Sequence, residues 1–184
     1  MPRRGTGGAA VSTEPSREDL VETDGFVLFW RPPAVFSQWT PSTFTVDGVT
    51  YSCAEQFMMA EKARLFGDEA TRARILATAS PREHKRLGRL VAGFVDEVWE
   101  RERVEIVVRG NLAKFSQDPA LLEALLATGD KVLVEASPTD RVWGIGRRPT
   151  DPAACQPERW RGQNLLGKAL ERVRHALRER AAGR

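Results

Sequence analysis

The sequence predicts an α+β fold, in which a mostly helical single domain contains a small sheet and follows a disordered N-terminal leader. Segments with the length and periodicity of helices outnumber the short apolar runs that are typical of strands. The two kinds of segment do not alternate regularly, so repeated βαβ units are not indicated. At 184 residues the chain is most simply one globular domain with a substantial core.

The N-terminal part of the chain predicts the leader, one buried strand and one hairpin. Residues 1–22 are rich in Gly, Ser, Thr, Pro and charge and show no periodicity, so we expect a disordered leader and a domain that spans residues 23–184. An apolar run at 26–31 predicts a buried strand. Residues 43–51 predict a hairpin, with Asp47-Gly48 as its two-residue turn.

A central helix follows the hairpin directly. Ser52 is a favourable N-cap, and Glu55, three residues later, completes a capping box. Gly67 stands where a left-handed residue commonly ends a helix, and no proline interrupts the segment. These signals predict a helix that begins at Ser52 and ends at Gly67.

The remainder of the chain predicts five more helices and a second strand. Ser80, Pro81 and Glu83 form a helix start, with a cap, a proline at the first helical position and a glutamate at the third. In order, the predicted elements are helices at 68–79, from 80, at 96–115 and at 119–127, a strand at 131–136, and a last amphipathic helix entered at 160–164.

The central helix also carries the first candidates for chemistry. At 3.6 residues per turn, Glu55, Met59, Lys62 and Phe66 share one stripe, away from polar positions such as Gln56. Ionisable groups in apolar surroundings have shifted pKa values unless they are paired. Two simpler interpretations stay open: Glu55 only caps the helix, and Lys62 extends its ammonium to water over apolar neighbours.

Composition narrows the class of protein. The net charge of +3 permits a polyanionic partner without requiring one. No apolar run approaches the roughly 20 residues of a membrane span, and no secretory signal is present, so we expect a cytoplasmic protein without a membrane partner. Cys53 and Cys155 have no partner at metal-ligand spacing, which indicates neither a disulfide framework nor a zinc site. His84 and His175 are predicted at the surface, and residues 82–89 as a solvated basic face.

Two glycine-containing segments are candidate binding loops. Trp143-Gly144-Ile145-Gly146 combines an aromatic stacking face with glycines that allow close backbone approach, although a core position is the favoured interpretation of Trp143 when it is taken singly. Gly162-Gln163-Asn164 opens the last helix, where free backbone N–H groups can bind an anion or a hydroxyl group. An ordinary helix cap is the alternative interpretation of that segment.

Five segments together form the set of motifs of one family: residues 36–39, 52–63, 111–115, 140–146 and 160–167. In this order and at this spacing they resemble the NADAR proteins, the YbiA-like N-glycosidases, over roughly residues 26 to 178. The chain departs from the family pattern at Gln38, where Asn is expected. If this amide contacts the ligand, its reach is longer by one methylene.

The resemblance implies hydrolysis of N-ribosidic bonds without a metal ion or an organic cofactor. One branch of the family resembles enzymes acting on ribosylaminopyrimidine phosphates, early intermediates of riboflavin synthesis, and another removes ADP-ribose from guanine in DNA. A compact domain without a DNA-binding appendage favours the small-molecule branch, so nucleic acid is a partner only in the alternative. A binding module that recognises ADP-ribose without cleaving it is the non-enzymatic alternative. The oligomeric state stays open.

The resemblance also assigns the site. Catalytic roles fall to Glu55, Lys62 and Asp140: a neutral lysine attacks the ring-opened imine of a glycosylamine, and Glu55 moves protons. In the competing mechanism Glu55 or Asp140 activates water, and Lys62 only binds the substrate. Substrate-binding roles are implied for Arg31, Ser37, Trp39, Trp99, Trp143, Gly144 and Asn164, and no residue is assigned to a metal.

Overall fold

The computed structural model describes residues 19–183, which form a mostly helical α+β domain, as the sequence predicts, with two small sheets. The helices are α1 (Ala54–Leu65), α2 (Glu69–Leu76), α3 (Pro81–Gly88), α4 (Asp96–Gln117), α5 (Pro119–Ala127) and α6 (Leu165–Ala182). The strands are β1 (Leu20–Glu22), β2 (Phe26–Phe29), β3 (Phe44–Val46), β4 (Val49–Tyr51) and β5 (Val132–Glu135). Two short 3₁₀ helices, Pro152–Cys155 and Pro157–Arg159, precede α6. Within residues 19–183 no helix has the length and apolarity that crossing a bilayer requires.

The larger sheet has the strand order β1-β2-β5 and determines where the site can form. Strand β2 pairs in parallel with β5, so that Phe29 lies opposite Glu135 at the carboxyl ends of both strands. Two parallel strands leave a sheet at the same edge, which brings the segment after Phe29 beside the segment after Glu135. Ligand sites of open sheets form at this kind of edge.

The predicted leader is too long at its C-terminal end. Residues 20–22 form β1, which pairs antiparallel with β2, and Asp19 accepts a hydrogen bond of 2.7 Å from Arg31 Nε. The sheet therefore begins before the predicted domain boundary at residue 23. The prediction of disorder for residues 1–18 lies outside the described residues.

Helix α1 is the centre of the helical layer and packs against α2, α3 and α4. Two glycines allow the close approach: a Cβ at Gly88 would lie 2.0 Å from Met59 Sδ, and one at Gly110 would lie 2.4 Å from the Phe57 ring. The expectation of a polar side on α1 was wrong at Gln56, which is buried. Its amide is satisfied inside the protein, since Nε2 donates to the carbonyl oxygens that close α2 and follow it.

Local signals located most turns and helix ends correctly. Asp47 and Gly48 have φ values of 50° and 78°, as a two-residue hairpin turn requires. Gly67 adopts a left-handed φ of 71° just after α1. The Ser80 hydroxyl accepts from the Glu83 backbone N–H at the start of α3.

The predicted capping box at the start of α1 was wrong. The N-cap is Cys53, which makes no side-chain capping bond. The Ser52 backbone N–H and hydroxyl instead donate to Gln56 Oε1 at 2.7 and 3.0 Å. The Glu55 carboxyl is therefore not used by the cap.

Candidate active site

An open cavity, which we call the inner cavity, lies where α1 and α3 meet the segments that follow β2 and β5. Its volume is about 680 Å³ when the solvent at its open mouth is included. Glu55 and Lys62 both line it, as their shared stripe on α1 predicted, together with Asp140 from the segment after β5. Its other lining residues are Ser37, Gln38, Trp39, Met58, Met59, Lys85, Gly88, Arg89, Glu135 and Trp143.

Glu55 is a buried carboxyl that is half ionised near neutral pH. Burial raises its pKa to about 7, opposed by the charge of Lys85 and by a hydrogen bond from Trp39, while the charge of Asp140 acts in the same direction as burial. The backbone N–H of Glu55 donates to Gln38 O at 2.9 Å, which ties the start of α1 to the loop after β2. A carboxyl with a pKa near the working pH is suited to both accept and return a proton.

Lys62 enters the inner cavity between two aromatic rings. Its Nζ lies 4.0 Å from the centre of the Phe94 ring and 5.4 Å from that of Trp99. Burial lowers the pKa of Lys62, and the carboxylate of Asp96 opposes that shift. A lowered pKa increases the fraction of neutral amine, which is the nucleophilic form of lysine.

Glu135 is a carboxyl group of the site that sequence reasoning missed. It ends β5, and its Oε2 is buried without a hydrogen-bond partner among the described residues. Burial raises the pKa of Glu135 to about 8, and the negative charges of Asp140 and Glu55 add to the effect, while Lys85 opposes it. Glu135 therefore holds a proton at neutral pH in the cavity where Glu55 is half ionised. The sequence feature that could have identified Glu135 is its position as an ionisable residue directly after the apolar run Val132-Leu133-Val134.

Asp140 organises the loop after β5 as well as lining the cavity. Its Oδ1 accepts from the backbone N–H groups of Val142 and Trp143 at 2.9 and 2.8 Å. The Asp140 N–H in turn donates to the Ser137 hydroxyl at 3.2 Å. Asp140 thus positions Trp143, whose half-buried side chain forms part of the inner cavity wall. Three carboxyl groups, from α1, β5 and this loop, face one cavity.

The NADAR domain family matches residues 28–178, most of the chain. The chain belongs to the NADAR family. N-glycosidase R617 of Acanthamoeba polyphaga mimivirus is 41% identical over 165 residues, 84% of this chain and 97% of the relative. N-glycosidase YbiA of Escherichia coli is 31% identical over 142 residues, 77% of this chain and 80% of the relative. The NMR structure of E. coli YbiA is similar with a TM-score of 0.73 at 27% identity, covering 95% of this chain and 97% of that one.

These relatives define the class of enzyme. Several that match most of the chain, at 31–41% identity, are named N-glycosidases, so this NADAR chain is an enzyme of that class. A protein named riboflavin biosynthesis protein PYRR, chloroplastic, from Zea mays is 32% identical over 166 residues. The match covers 83% of this chain and 25% of the maize protein.

The 35–39 loop of the NADAR domain supplies three residues to the inner cavity: Ser37, Gln38 and Trp39. Gln38 Oε1 accepts a hydrogen bond of 3.0 Å from the buried side-chain amide of Asn111. The carbonyl of Gln38, which stands where the family pattern has the shorter Asn, is therefore already bonded inside the protein. Lys114, only 1% exposed, donates through Nζ to Val35 O at 2.6 Å and to Ser37 O at 3.2 Å. Burial lowers the pKa of Lys114 to about 7. Lys114 and Asn111 therefore hold the loop in place from the α4 side.

Four of the predicted substrate-binding residues do not line the inner cavity, and one of them, Arg31, lies in a second cavity that is described below. Trp99 packs beside Lys62 instead. Gly144 is a close-packing position, since a Cβ there would lie 2.7 Å from Glu135 O. Asn164 is buried, with Oδ1 accepting from Glu135 N at 3.0 Å and Nδ2 donating to Leu133 O at 2.8 Å. Asn164 joins the start of α6 to β5 and holds Glu135 in position, so its predicted ligand contact was wrong.

The predicted anion site at the start of α6 is also wrong. The backbone N–H groups of residues 163–166 donate to the carbonyl oxygens of Arg141, Gly144, Val142 and Trp143. These bonds leave none of the four N–H groups free for a ligand. They dock the start of α6 onto the loop that carries Asp140.

Residues 82–89, in and just after α3, were predicted to form a solvated basic face, but two of their basic residues line the inner cavity. Lys85 and Arg89, one turn apart, line the inner cavity, and Lys85 is half-buried. His84 was predicted at the surface but is fully buried, and its Nε2 donates to Thr78 O at 2.7 Å, which satisfies this nitrogen inside the protein. Its Nδ1 lies 3.7 Å from Cys53 Sγ and can accept from the thiol. His175 is exposed on α6, as predicted.

A second cavity, the outer cavity, shares a wall with the inner one. Its volume is about 730 Å³, and its shared lining consists of Ser37, Trp39, Lys85, Glu135 and Asp140. The residues that it does not share with the inner cavity are Trp30, Arg31, Ser137 and Thr139. The predicted substrate-binding residue Arg31 thus lies in the outer cavity, apart from Lys62.

Proposed function

We propose that the protein hydrolyses, in the cytoplasm, the N-glycosidic bond of ribosylamino compounds, with ribosylaminopyrimidine phosphates as the favoured substrates. The observation that carries this proposal is the placement of Glu55 and Lys62 in one cavity, the carboxyl with a pKa of about 7 and the amine with a lowered pKa. The similarity to the maize riboflavin biosynthesis protein supports this choice of base.

The favoured chemistry depends on the exocyclic amine of these substrates. Such a glycosylamine can open its sugar ring to a protonated imine at C1′. The neutral Lys62 Nζ adds to C1′, the bond from C1′ to the base nitrogen breaks, and the base leaves as a free amine. Water then hydrolyses the lysine imine, which releases the sugar and regenerates the amine. Glu55 accepts and returns the protons of these steps.

A competing mechanism uses the carboxyl groups alone. The ionised form of Glu55 or Asp140 accepts a proton from water as the water attacks an oxocarbenium-like C1′. Glu135, which holds a proton at neutral pH, donates it to the departing nitrogen. Lys62 then serves only as a binding contact.

Borohydride trapping separates the two mechanisms. Reduction during turnover should leave the sugar covalently attached to Lys62, and Lys62→Arg should lose both adduct and turnover because arginine stays charged. Lys168→Arg, on the exposed side of α6, is the matched control and should keep both. If Lys62→Arg retains substantial activity while Glu55→Gln is inactive, the carboxyl mechanism replaces the lysine mechanism.

A second candidate activity is removal of ADP-ribose from guanine in DNA. It is favoured by the outer cavity, which extends the site beyond the reacting groups and contains Arg31 and Lys85. Incubation with both substrate types and analysis of the released base decides between them.

A non-catalytic ADP-ribose reader would have no need of Glu55 and Lys62 as an ionisable pair. Thermal stabilisation by ADP-ribose with both substrates left intact would favour the reader.

A further inference from the structure

The connection between α3 and α4, residues 89–95, carries an exposed apolar cluster beside the inner cavity. Among residues 19–183, the large apolar side chains that are exposed belong to Leu90, Phe94 and Val95. The connection begins at Arg89, which lines the inner cavity, and the Phe94 ring lies against Lys62 of the same cavity. Single exposed apolar residues are ordinary, whereas a cluster of them points to a function.

The Phe94 ring has a defined position although it is 39% exposed. Its centre lies 5.3 Å from that of the Phe66 ring, in an edge-to-face arrangement. The backbone before it is tied to α2, because Ala92 N donates to Asp68 Oδ2 at 2.8 Å. Gly93 then turns the chain with a left-handed φ of 68°. Phe94 is therefore held between the end of α1 and the start of α4.

The Phe94 ring covers the ammonium group of Lys62. The distance of 4.0 Å from Nζ to the ring centre is a direct contact, with no room for water between the two groups. Such a ring has two opposite effects on the lysine. It excludes water, which disfavours the charged form, and its π face attracts the charge, which favours that form.

Exclusion of water is the stronger of the two effects. A cation–π contact near the surface is worth about 0.5–1 kcal/mol, less than one pKa unit, whereas full burial lowers the pKa of a lysine by up to about 3–5 units. Burial is the larger influence on Lys62 and lowers its pKa, while the Asp96 carboxylate opposes the shift. Phe94 is uncharged, so its replacement removes none of the other titratable or charged groups of the cavity wall, which are Glu55, Lys85, Arg89, Glu135 and Asp140.

We propose that Phe94 is a positioning residue for Lys62, whose ring excludes water from one side of the ammonium group and holds Nζ at the wall of the inner cavity. This inference rests on the proposed function, in which the neutral amine adds to C1′ of the substrate. Phe94 does not itself line the inner cavity, so it acts through Lys62 and not on the substrate.

Competitive labelling of amines with acetic anhydride over a range of pH tests the inference without any need for turnover. Peptide mass spectrometry follows Lys62, and the midpoint of its labelling curve reports protonation, while the plateau reports access to the reagent. Phe94→Ala should move the midpoint to higher pH. Phe94→Leu, which keeps the bulk without the π face, should leave the midpoint at the wild-type pH or below it. The exposed Lys168 in the same samples is the internal reference and should give one curve in all variants.

The lysine mechanism predicts that turnover follows the labelling midpoint. Phe94→Ala should lower kcat by about 3–10-fold at pH 7, since each unit of pKa changes the neutral fraction tenfold, and the loss relative to wild type should shrink as the pH rises. Leu90→Ala is the matched control, because Leu90 is exposed in the same connection and does not line the inner cavity. It should keep the wild-type midpoint and kcat. Thermal unfolding verifies that each variant is folded.

Two results would overturn the inference. One is a folded Phe94→Ala variant whose Lys62 midpoint is unchanged or lower, since a lower midpoint means that attraction by the π face dominates. The other is a Phe94→Leu variant whose midpoint is raised as far as that of Phe94→Ala, because the bulk of the side chain would then have no effect. Failure of the lysine mechanism gives a different pattern, in which Phe94→Ala raises the midpoint while its kcat stays at the wild-type value.

Discussion

Replacing Glu135 by Gln should stabilise the folded protein at alkaline pH. The folded state raises the pKa of this carboxyl from 4.5 to about 8. Between these values the folded state retains a proton that the unfolded state has released, so stability falls as the pH rises across this window. Glutamine does not titrate, and the variant therefore avoids that loss.

The magnitude follows from the pKa values. A rise from 4.5 to about 8 corresponds to an upper limit of roughly 5 kcal/mol in the free energy of unfolding. Part of the shift comes from Asp140 and Glu55, and water at the open mouth screens these charges. We therefore expect Glu135→Gln to exceed wild type by about 2 kcal/mol at pH 9 and to match it near pH 4.

Urea unfolding at pH 4 and pH 9, followed by tryptophan fluorescence, measures this difference. The exposed Glu123 of α5 provides the control, since Glu123→Gln should give the same small change at both pH values. If the Glu135 proton reaches the leaving group, Glu135→Gln should lower kcat by roughly 10²–10⁴. Wild-type kcat should then fall above about pH 8. A variant that is less stable than wild type at pH 9 would refute the reasoning, and full activity at every pH would exclude Glu135 as the proton donor.

Four further predictions concern other parts of the domain. Lys114→Met should lower the free energy of unfolding in urea by about 2–4 kcal/mol, because two carbonyls of the 35–37 loop lose a buried donor; an unchanged midpoint would contradict it. Gly167→Ala should cost about 3 kcal/mol or more, since its Cβ would lie 1.9 Å from a β5 carbonyl, and a wild-type melting temperature would show that α6 can move away. Trp143→Ala should raise KM by about 5–150-fold through lost stacking; if it unfolds while the surviving molecules bind normally, Trp143 is a core residue. A chain without residues 1–18 should keep its activity, and lost turnover would place part of the site there.

Local sequence signals were sufficient wherever the controlling interaction spans only a few residues. The Asp47-Gly48 turn and the left-handed Gly67 follow from backbone preferences of single residues. Glu55 and Lys62 lie two turns apart on one helix, so helical geometry alone brings them to the same cavity. The resemblance to the NADAR family added Asp140, which no spacing argument could have placed beside them.

The predictions that failed depend on contacts between distant segments. The capping box and the polar side of α1 were wrong because Gln56 turns inward to the end of α2. Asn164 was assigned to a ligand because the sequence does not reveal that β5 supplies partners for both ends of its amide. Burial by another part of the chain decided which hydrogen bond each of these side chains makes.

The sequence by itself determined the fold class, most helix and turn positions, and the pair on α1 that points to chemistry. Only the tertiary structure decided that Glu135 joins this pair and that Lys85 and Arg89 face the site. For Glu135 the physical reason is the parallel pairing of β2 with β5, which places the ends of two remote segments side by side. For Lys85 and Arg89 it is the packing of α3 against α1. Burial raises the pKa of Glu135, and the charges of Asp140 and Glu55 raise it further, so the shift requires neighbours from separate parts of the chain.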